Sequence, residues 1–186
     1  MAEEDPETPH RDPVAEALMS DGMERLWTPH RMAYIRGEGK PPNDEAGDEC
    51  PFCRVPGLGD EPGLIVARGT TAYAVLNLYP YNTGHLLVCT YRHVADYTDL
   101  TSVEASELAS LVQRSIVALR RAMAPDGFNI GMNQGPISGA GIAAHLHQHV
   151  IPRWLGDSNF MPLVARTKVL PQDLPETRRR LADCWD

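Results

Sequence analysis

From Leu64 onward the chain alternates short apolar runs with turn-forming residues. LIVA, TAYAVLN and HLLVCTY are rich in β-branched and aromatic side chains, and Gly, Pro and Asn separate them, which is the pattern of strands. NLYPYNTG, residues 77–84, carries turn chemistry between the second and third runs. The period then changes. Leu108, Leu111, Val112, Leu119 and Met123 recur on one helical face. Thr101 and Glu104 stand at capping-box spacing before them, and Pro125 with Gly127 stops the helix. GFNIGMN and HLHQHVIPRW return to strand texture, joined by the glycine-rich GPISGAG, and PQDLPETRRRLADCW predicts a closing helix. The order predicts an α+β domain: a mainly antiparallel sheet, one long helix and a C-terminal helix.

The N-terminal part reads differently. Residues 1–20 are acidic and proline-dotted, and are predicted to be a disordered arm. Residues 21–186 are predicted to be a single domain with a C-terminal extension. Within it RLWTPHRMAYI is apolar enough to anchor on the body, and residues 37–49 read as a loop. A length of 186 residues and a hydrophobic share of 42% suit one packed domain. The formal net charge of −8 argues against a broad face for duplex nucleic acid. A local pocket of donors can still take a small anion. No apolar run approaches the roughly 20 residues that span a bilayer, and MAEEDPETPHRDP lacks the layout of a signal peptide. Four cysteines without an export signal place the chain in the cytoplasm, where thiols stay reduced.

Three of the seven histidines fall in one strand-like run, at His145, His147 and His149. On a strand, alternate side chains share a face. Three imidazoles so placed can bind a metal, or line up as a nucleophile with helpers. No serine sits in a nucleophile-elbow context, which disfavours a serine triad. Gly135, Gly139 and Gly141 lie just upstream and let backbone N–H groups approach phosphate oxygens. Histidines beside such a loop suggest phosphoryl or nucleotidyl chemistry, because neutral imidazole is a competent nucleophile. The pair Cys50-Pro-Phe-Cys53 leaves a zinc knuckle, a redox pair and coincidence all open. Cys89 and Cys184 read as packing residues.

HLHQHVI fits the His-φ-His-φ-His-φ-φ signature of the histidine triad (HIT) superfamily, with Gln148 in an apolar slot. The resemblance runs from about Leu26 to the C-terminus. AVLNLYPYNTGHLLV resembles the family's first sheet segment, and PRWLGDSNFMP resembles its Fhit-like branch. RLWTPHRMAYI and TKVLP are most similar to bacterial diadenosine tetraphosphate phosphorylases and hydrolases. The resemblance implies that His147 attacks the α-phosphorus and becomes nucleotidylated. It implies that His149 contacts phosphate and aids the leaving group, while the His145 carbonyl orients the His147 ring. By the same resemblance Asn77 bonds ribose, Asn133 binds phosphate and His85 lies near the site. Gly139 and Gly141 belong to the phosphate loop. Gly141 stands where many relatives have serine, which leaves open whether water or inorganic phosphate is the second nucleophile. Gln148 either faces the sheet's other side or reaches the nucleotide.

In zinc-containing members, Cys50 and Cys53 are joined by residues resembling His93 and His145, a structural Cys₂His₂ site. Polyphosphate substrates bring Mg²⁺ with them. A homodimer through the long helix and adjoining strand is implied too. The implied function is cleavage of dinucleoside polyphosphates through nucleotidyl-His147. The alternatives are hydrolysis of nucleoside phosphoramidates, as in the Hint branch, and slow-turnover nucleotide binding for signalling.

Overall fold

The computed structural model describes residues 50–135, 137–157 and 172–185. The expected N-terminal arm, the RLWTPHRMAYI anchor, the following loop and TKVLP lie outside the described residues. The described chain opens on a one-turn helix, α1 (Pro51–Arg54), with Pro51 at its first position, and continues as a 3₁₀ turn, Val55–Leu58. Proline suits that position because its missing N–H would have no helical partner. Strands β1 (Ile65–Arg68), β2 (Ala72–Leu76) and β3 (Leu86–Thr90) follow. A 3₁₀ turn at Tyr97–Asp99 then leads to α2 (Ser102–Met123). Strands β4 (Gly127–Met132) and β5 (His147–Arg153) and helix α3 (Leu174–Asp183) complete the described elements.

All pairings are antiparallel, in the order β1-β2-β3-β5-β4. The last strand to form in sequence therefore inserts between β3 and β4, with hydrogen-bonded neighbours on both edges. The expected α+β class and antiparallel sheet are borne out. The strand bounds differ by a residue or so at most ends, and by two at the start of β5, which begins at His147 where the apolar alternation started at His145. The reason is local. Leu146 N–H donates to the Val94 carbonyl at 2.6 Å, so the chain there bonds the loop after β3 instead of extending the β5 ladder.

The pleat sorts side chains into two layers. Ala72, Ala74, Leu76, Leu86, Val88 and Val150 pack with Leu108, Leu111, Val112 and Leu119 of α2 and with Leu181 of α3. Tyr73, Val75, Leu87 and Cys89 face the other way, where Cys50, Phe52 and Ile65 cover them. The turn between β2 and β3 sits close on α2. At Gly84, with φ +79, a Cβ would come within 2.9 Å of Met123 Sδ and 3.0 Å of Leu119 Cδ2. Only glycine meets both demands there.

Helix α2 starts as the sequence predicts. Thr101 Oγ1 accepts from the Glu104 N–H, and Glu104 Oε2 accepts from the Thr101 N–H at 2.8 Å. Arg92 adds a two-pronged ion pair to the same carboxylate, at 2.9 and 2.7 Å. Arg92 and these N–H donors hold the Glu104 carboxyl at about 2, below its ordinary 4.5. A depressed carboxylate contributes stability above its unfolded pKa and loses it as pH falls through the folded one. Glu104→Gln is expected to cost about 1–2 kcal/mol at pH 7. The melting-temperature gap between the two proteins should hold down to about pH 5, shrink below 4.5 and nearly close near 2. A gap that does not change with pH would assign the loss to packing alone.

Candidate active site and metal cluster

Register places the histidines. His147 lies opposite Cys89 and His149 opposite Leu87 on β3, while Gly131 faces His149 from β4. Their side chains therefore share the layer of Tyr73, Leu87 and Cys89. Gln148 pairs with Val88 and Met132 and belongs to the opposite, α2-facing layer. The structure thus does not bring Gln148 among the histidines. Asn133 follows directly after β4, two residues beyond Gly131, which faces His149.

The backbone dictates which ring nitrogen of each key histidine carries a proton. His147 Nδ1 stands 2.8 Å from the His145 carbonyl oxygen, which can only accept. Nδ1 is then the protonated nitrogen and Nε2 keeps its lone pair. Burial also lowers the pKa of His147, partly offset by that same hydrogen bond. The ring is neutral at physiological pH and nucleophilic at Nε2.

His85 is fully buried, and its Nδ1 accepts the Tyr81 backbone N–H at 3.0 Å. A neutral His85 is therefore protonated at Nε2, which lies 2.9 Å from His149 Nδ1. His149 Nδ1 must accept, and neutral His149 carries its proton on Nε2. Burial, and secondarily repulsion from His147 once that ring is protonated, brings the His149 pKa down to about 4. One ring thus offers an electron pair and its neighbour an N–H donor, with centroids 5.0 Å apart.

Asn77 shapes the turn over this pair. Its Oδ1 accepts the Tyr79 N–H at 3.0 Å, and its Nδ2 lies 3.3 Å from His85 Nδ1. Asn82 Nδ2 donates to the Pro152 carbonyl at 3.1 Å and fastens the turn to β5. Gly139, with φ +86, and Gly141 lie on the connection that leads into His145, where Ile142 packs on the Cys50 and Phe52 group.

His145 points elsewhere. It is fully buried, and its Nε2 donates to the Thr90 carbonyl at 2.9 Å. That leaves Nδ1 bare, 3.4 Å from Cys50 Sγ and 3.6 Å from Cys53 Sγ. His93 Nδ1 lies 3.3 Å from Cys53 Sγ. The four donor atoms all lie within 4.8 Å of one another. A tetrahedral ion with usual zinc–sulfur and zinc–nitrogen bonds requires sulfur–nitrogen edges of about 3.5 Å. Three of the cluster's sulfur–nitrogen distances, 3.3, 3.4 and 3.6 Å, are close to that, and the Thr90 bond fixes the ligand tautomer as second partners of metal-bound histidines do. These residues can hold a metal ion.

Two aromatic residues complete the row and were not singled out from sequence. Phe52, inside the Cys-x-x-Cys pair, lies 4.9 Å from the His147 ring and 5.5 Å from the His145 ring. Tyr81 stacks on His85 at 5.0 Å and 21°. Phe52 has no sequence signal for this, because it meets His147 across 95 residues of chain, and Tyr81 reads only as part of the turn before His85.

The chain is similar to several known proteins. A family model described as the HIT domain matches residues 59–154. The AP-4-A phosphorylase of Mycobacterium tuberculosis is 48% identical over 167 residues, covering 89% of this chain and 86% of that protein. A zinc-bound histidine triad family protein from Mycobacterium smegmatis superposes with TM-score 0.59 at 28% identity, covering 73% of this chain and 91% of the other. A hypothetical histidine triad nucleotide-binding protein from Sulfolobus tokodaii superposes with TM-score 0.60 at 26% identity over the same shares.

Proposed function

Because the chain belongs to the HIT domain family, we propose that it is an enzyme that cleaves dinucleoside polyphosphates in two displacements at His147. The observation that carries this reading is the bond from His147 Nδ1 to the His145 carbonyl, which leaves Nε2 as a neutral nucleophile. In the first displacement Nε2 attacks an α-phosphorus, a nitrogen–phosphorus bond forms, and the bond to the bridging oxygen breaks. The leaving nucleoside polyphosphate takes the electron pair. In the second, an oxygen of inorganic phosphate attacks the same phosphorus, the nitrogen–phosphorus bond breaks, and the electron pair returns to Nε2. His149, with its Nε2–H, donates to the phosphoryl oxygens as charge grows on them. Asn77, Asn133, Gly139 and Gly141 supply further polar contacts to ribose and phosphate; Gln148, on the other layer, takes no part. Phosphate is preferred to water as acceptor because the relative that shares 48% of its residues is named as a phosphorylase.

Product analysis tests this directly. Diadenosine tetraphosphate is expected to give ADP plus ATP, and only when inorganic phosphate is present. AMP plus ATP irrespective of phosphate would keep the two displacements and make water the acceptor. No cleavage under either condition would reject the substrate class.

The metal cluster is assigned to zinc, held by Cys50, Cys53, His93 and His145. The donor set of two sulfurs and two imidazoles supports that ion. The zinc-bound state of the M. smegmatis protein supports it too. The ion would tie the segment at Cys50 to the strand that bears His147. Its ligand set leaves no open position, so the role given to it is structural.

A further inference from the structure

The hydrogen bond to the His145 carbonyl tethers the His147 ring at Nδ1, and a single bond of that kind tolerates some tilt of the ring. Rotation about the bond from Cβ to an imidazole is soft, with broad wells instead of sharp staggered ones. Packing against the ring narrows that freedom. One neighbour is His149, centroid to centroid 5.0 Å at 67°. The other contact is Phe52, at 4.9 Å and 44°, a side chain only 8% exposed.

Phe52 is itself held from several directions. Its carbonyl oxygen accepts the hydroxyl of the fully buried Tyr73 at 2.7 Å. Its neighbours in sequence include Cys50 and Cys53, whose sulfurs face His145 Nδ1 at 3.4 and 3.6 Å. Its ring also meets the His145 ring edge-on, at 5.5 Å and 73°. His145 in turn lends its carbonyl to His147. The Cys-x-x-Cys turn therefore touches the nucleophile twice: through the His145 backbone, and through the aromatic ring between the cysteines.

From this we infer that Phe52 is a positioning residue for nucleotidyl transfer. It packs against the His147 ring and braces its tilt, so that Nε2 is aimed at phosphorus before substrate arrives. The inference rests on His147 being the nucleophile. It assigns a catalytic consequence to a residue of the cysteine turn that neither binds metal nor reacts. A reactive group displaced by even 1 Å can lose about a hundredfold in rate.

The test uses the full-length, metal-loaded protein and the variants Phe52→Ala and Phe52→Leu, with zinc content and melting temperature recorded for each. Two readouts are compared with the unaltered protein. One is the rate of enzyme nucleotidylation in a single turnover at saturating diadenosine tetraphosphate. The other is the long-range proton–nitrogen correlation of the His147 imidazole, which distinguishes Nδ1–H from Nε2–H. Phe52→Ala is expected to slow nucleotidylation by about tenfold or more and to replace the single Nδ1–H pattern by a mixture. Phe52→Leu keeps bulk without the flat ring and should lie between the two. If Phe52→Ala does not fold, Phe52→Leu decides. A metal-loaded, folded variant with an unchanged nucleotidylation rate, or a loss confined to KM, would overturn the inference. If the unaltered protein forms no nucleotidyl-histidine, the proposed reaction fails instead. The imidazole correlation then still reports whether Phe52 orients the ring.

Discussion

His147→Asn should lower turnover of diadenosine tetraphosphate by about four orders of magnitude or more, the scale seen when a nucleophile is removed from an enzyme that works by covalent relay. Asparagine is the informative choice. Its amide can still donate to the His145 carbonyl, as His147 Nδ1 does at 2.8 Å, so the strand keeps its local bond. What it lacks is a nitrogen lone pair on the far side of the ring. The melting temperature is expected to stay within a few degrees, because a cost of about 1 kcal/mol moves a domain of this size by roughly 2–4 °C. Denaturing gel analysis after incubation with labelled substrate should find label on the unaltered protein and none on the variant. A folded His147→Asn protein that turns over normally would remove His147 from the chemistry.

Cys53→Ser is expected to produce the largest change in stability. Cys53 Sγ faces both His93 Nδ1 and His145 Nδ1, so it belongs to two of the short edges of the cluster. Serine is too weak a zinc ligand to replace the thiolate. A metal that binds the folded chain but not the unfolded one, at a thousandfold excess over its dissociation constant, stabilises by about 4 kcal/mol. That corresponds to a fall of roughly 10 °C in melting temperature. Elemental analysis should find about one zinc per chain in the unaltered protein and close to none in the variant. Chelation of the unaltered protein should reproduce the thermal shift. If chelator and Cys53→Ser both leave zinc content and melting temperature where they were, the four residues are a packed cluster of thiols and imidazoles.

Much of this molecule could be read from sequence because the signals were short-range. The α2 start needs only Thr101 and Glu104, three residues apart, and both halves of the predicted box are present. The strand runs LIVA, TAYAVLN and HLLVCTY became β1, β2 and β3 with trimmed ends. The grouping of Cys50, Cys53, His93 and His145 came from family resemblance, and the structure brings all four donor atoms together.

What stayed hidden was set by tertiary contact. The start of β5 shifted because Leu146 bonds the Val94 carbonyl, a choice made by a distant loop. Gln148 was left between two faces by its motif, and register opposite Val88 and Met132 resolved it. The proton positions of His85 and His149 depend on the Tyr81 N–H, which no side-chain pattern encodes. Phe52 and Tyr81 drew no functional reading from sequence, and the fold sets them against imidazole rings.

The position of β5 inside the sheet has a consequence for how this scaffold tolerates change. His149 hangs from a part of β5 laced on both edges, and His147 from the first residue of that strand, paired with β3, so the point of attack is anchored to the sheet itself. The residues around its rim, among them Asn77, Tyr81 and the glycines before His145, belong to connecting turns. Turns accept substitutions and length changes that a central strand refuses. Engineering toward a new leaving group or acceptor therefore belongs in those two turns, where new contacts can be tried while the attacking nitrogen keeps its aim.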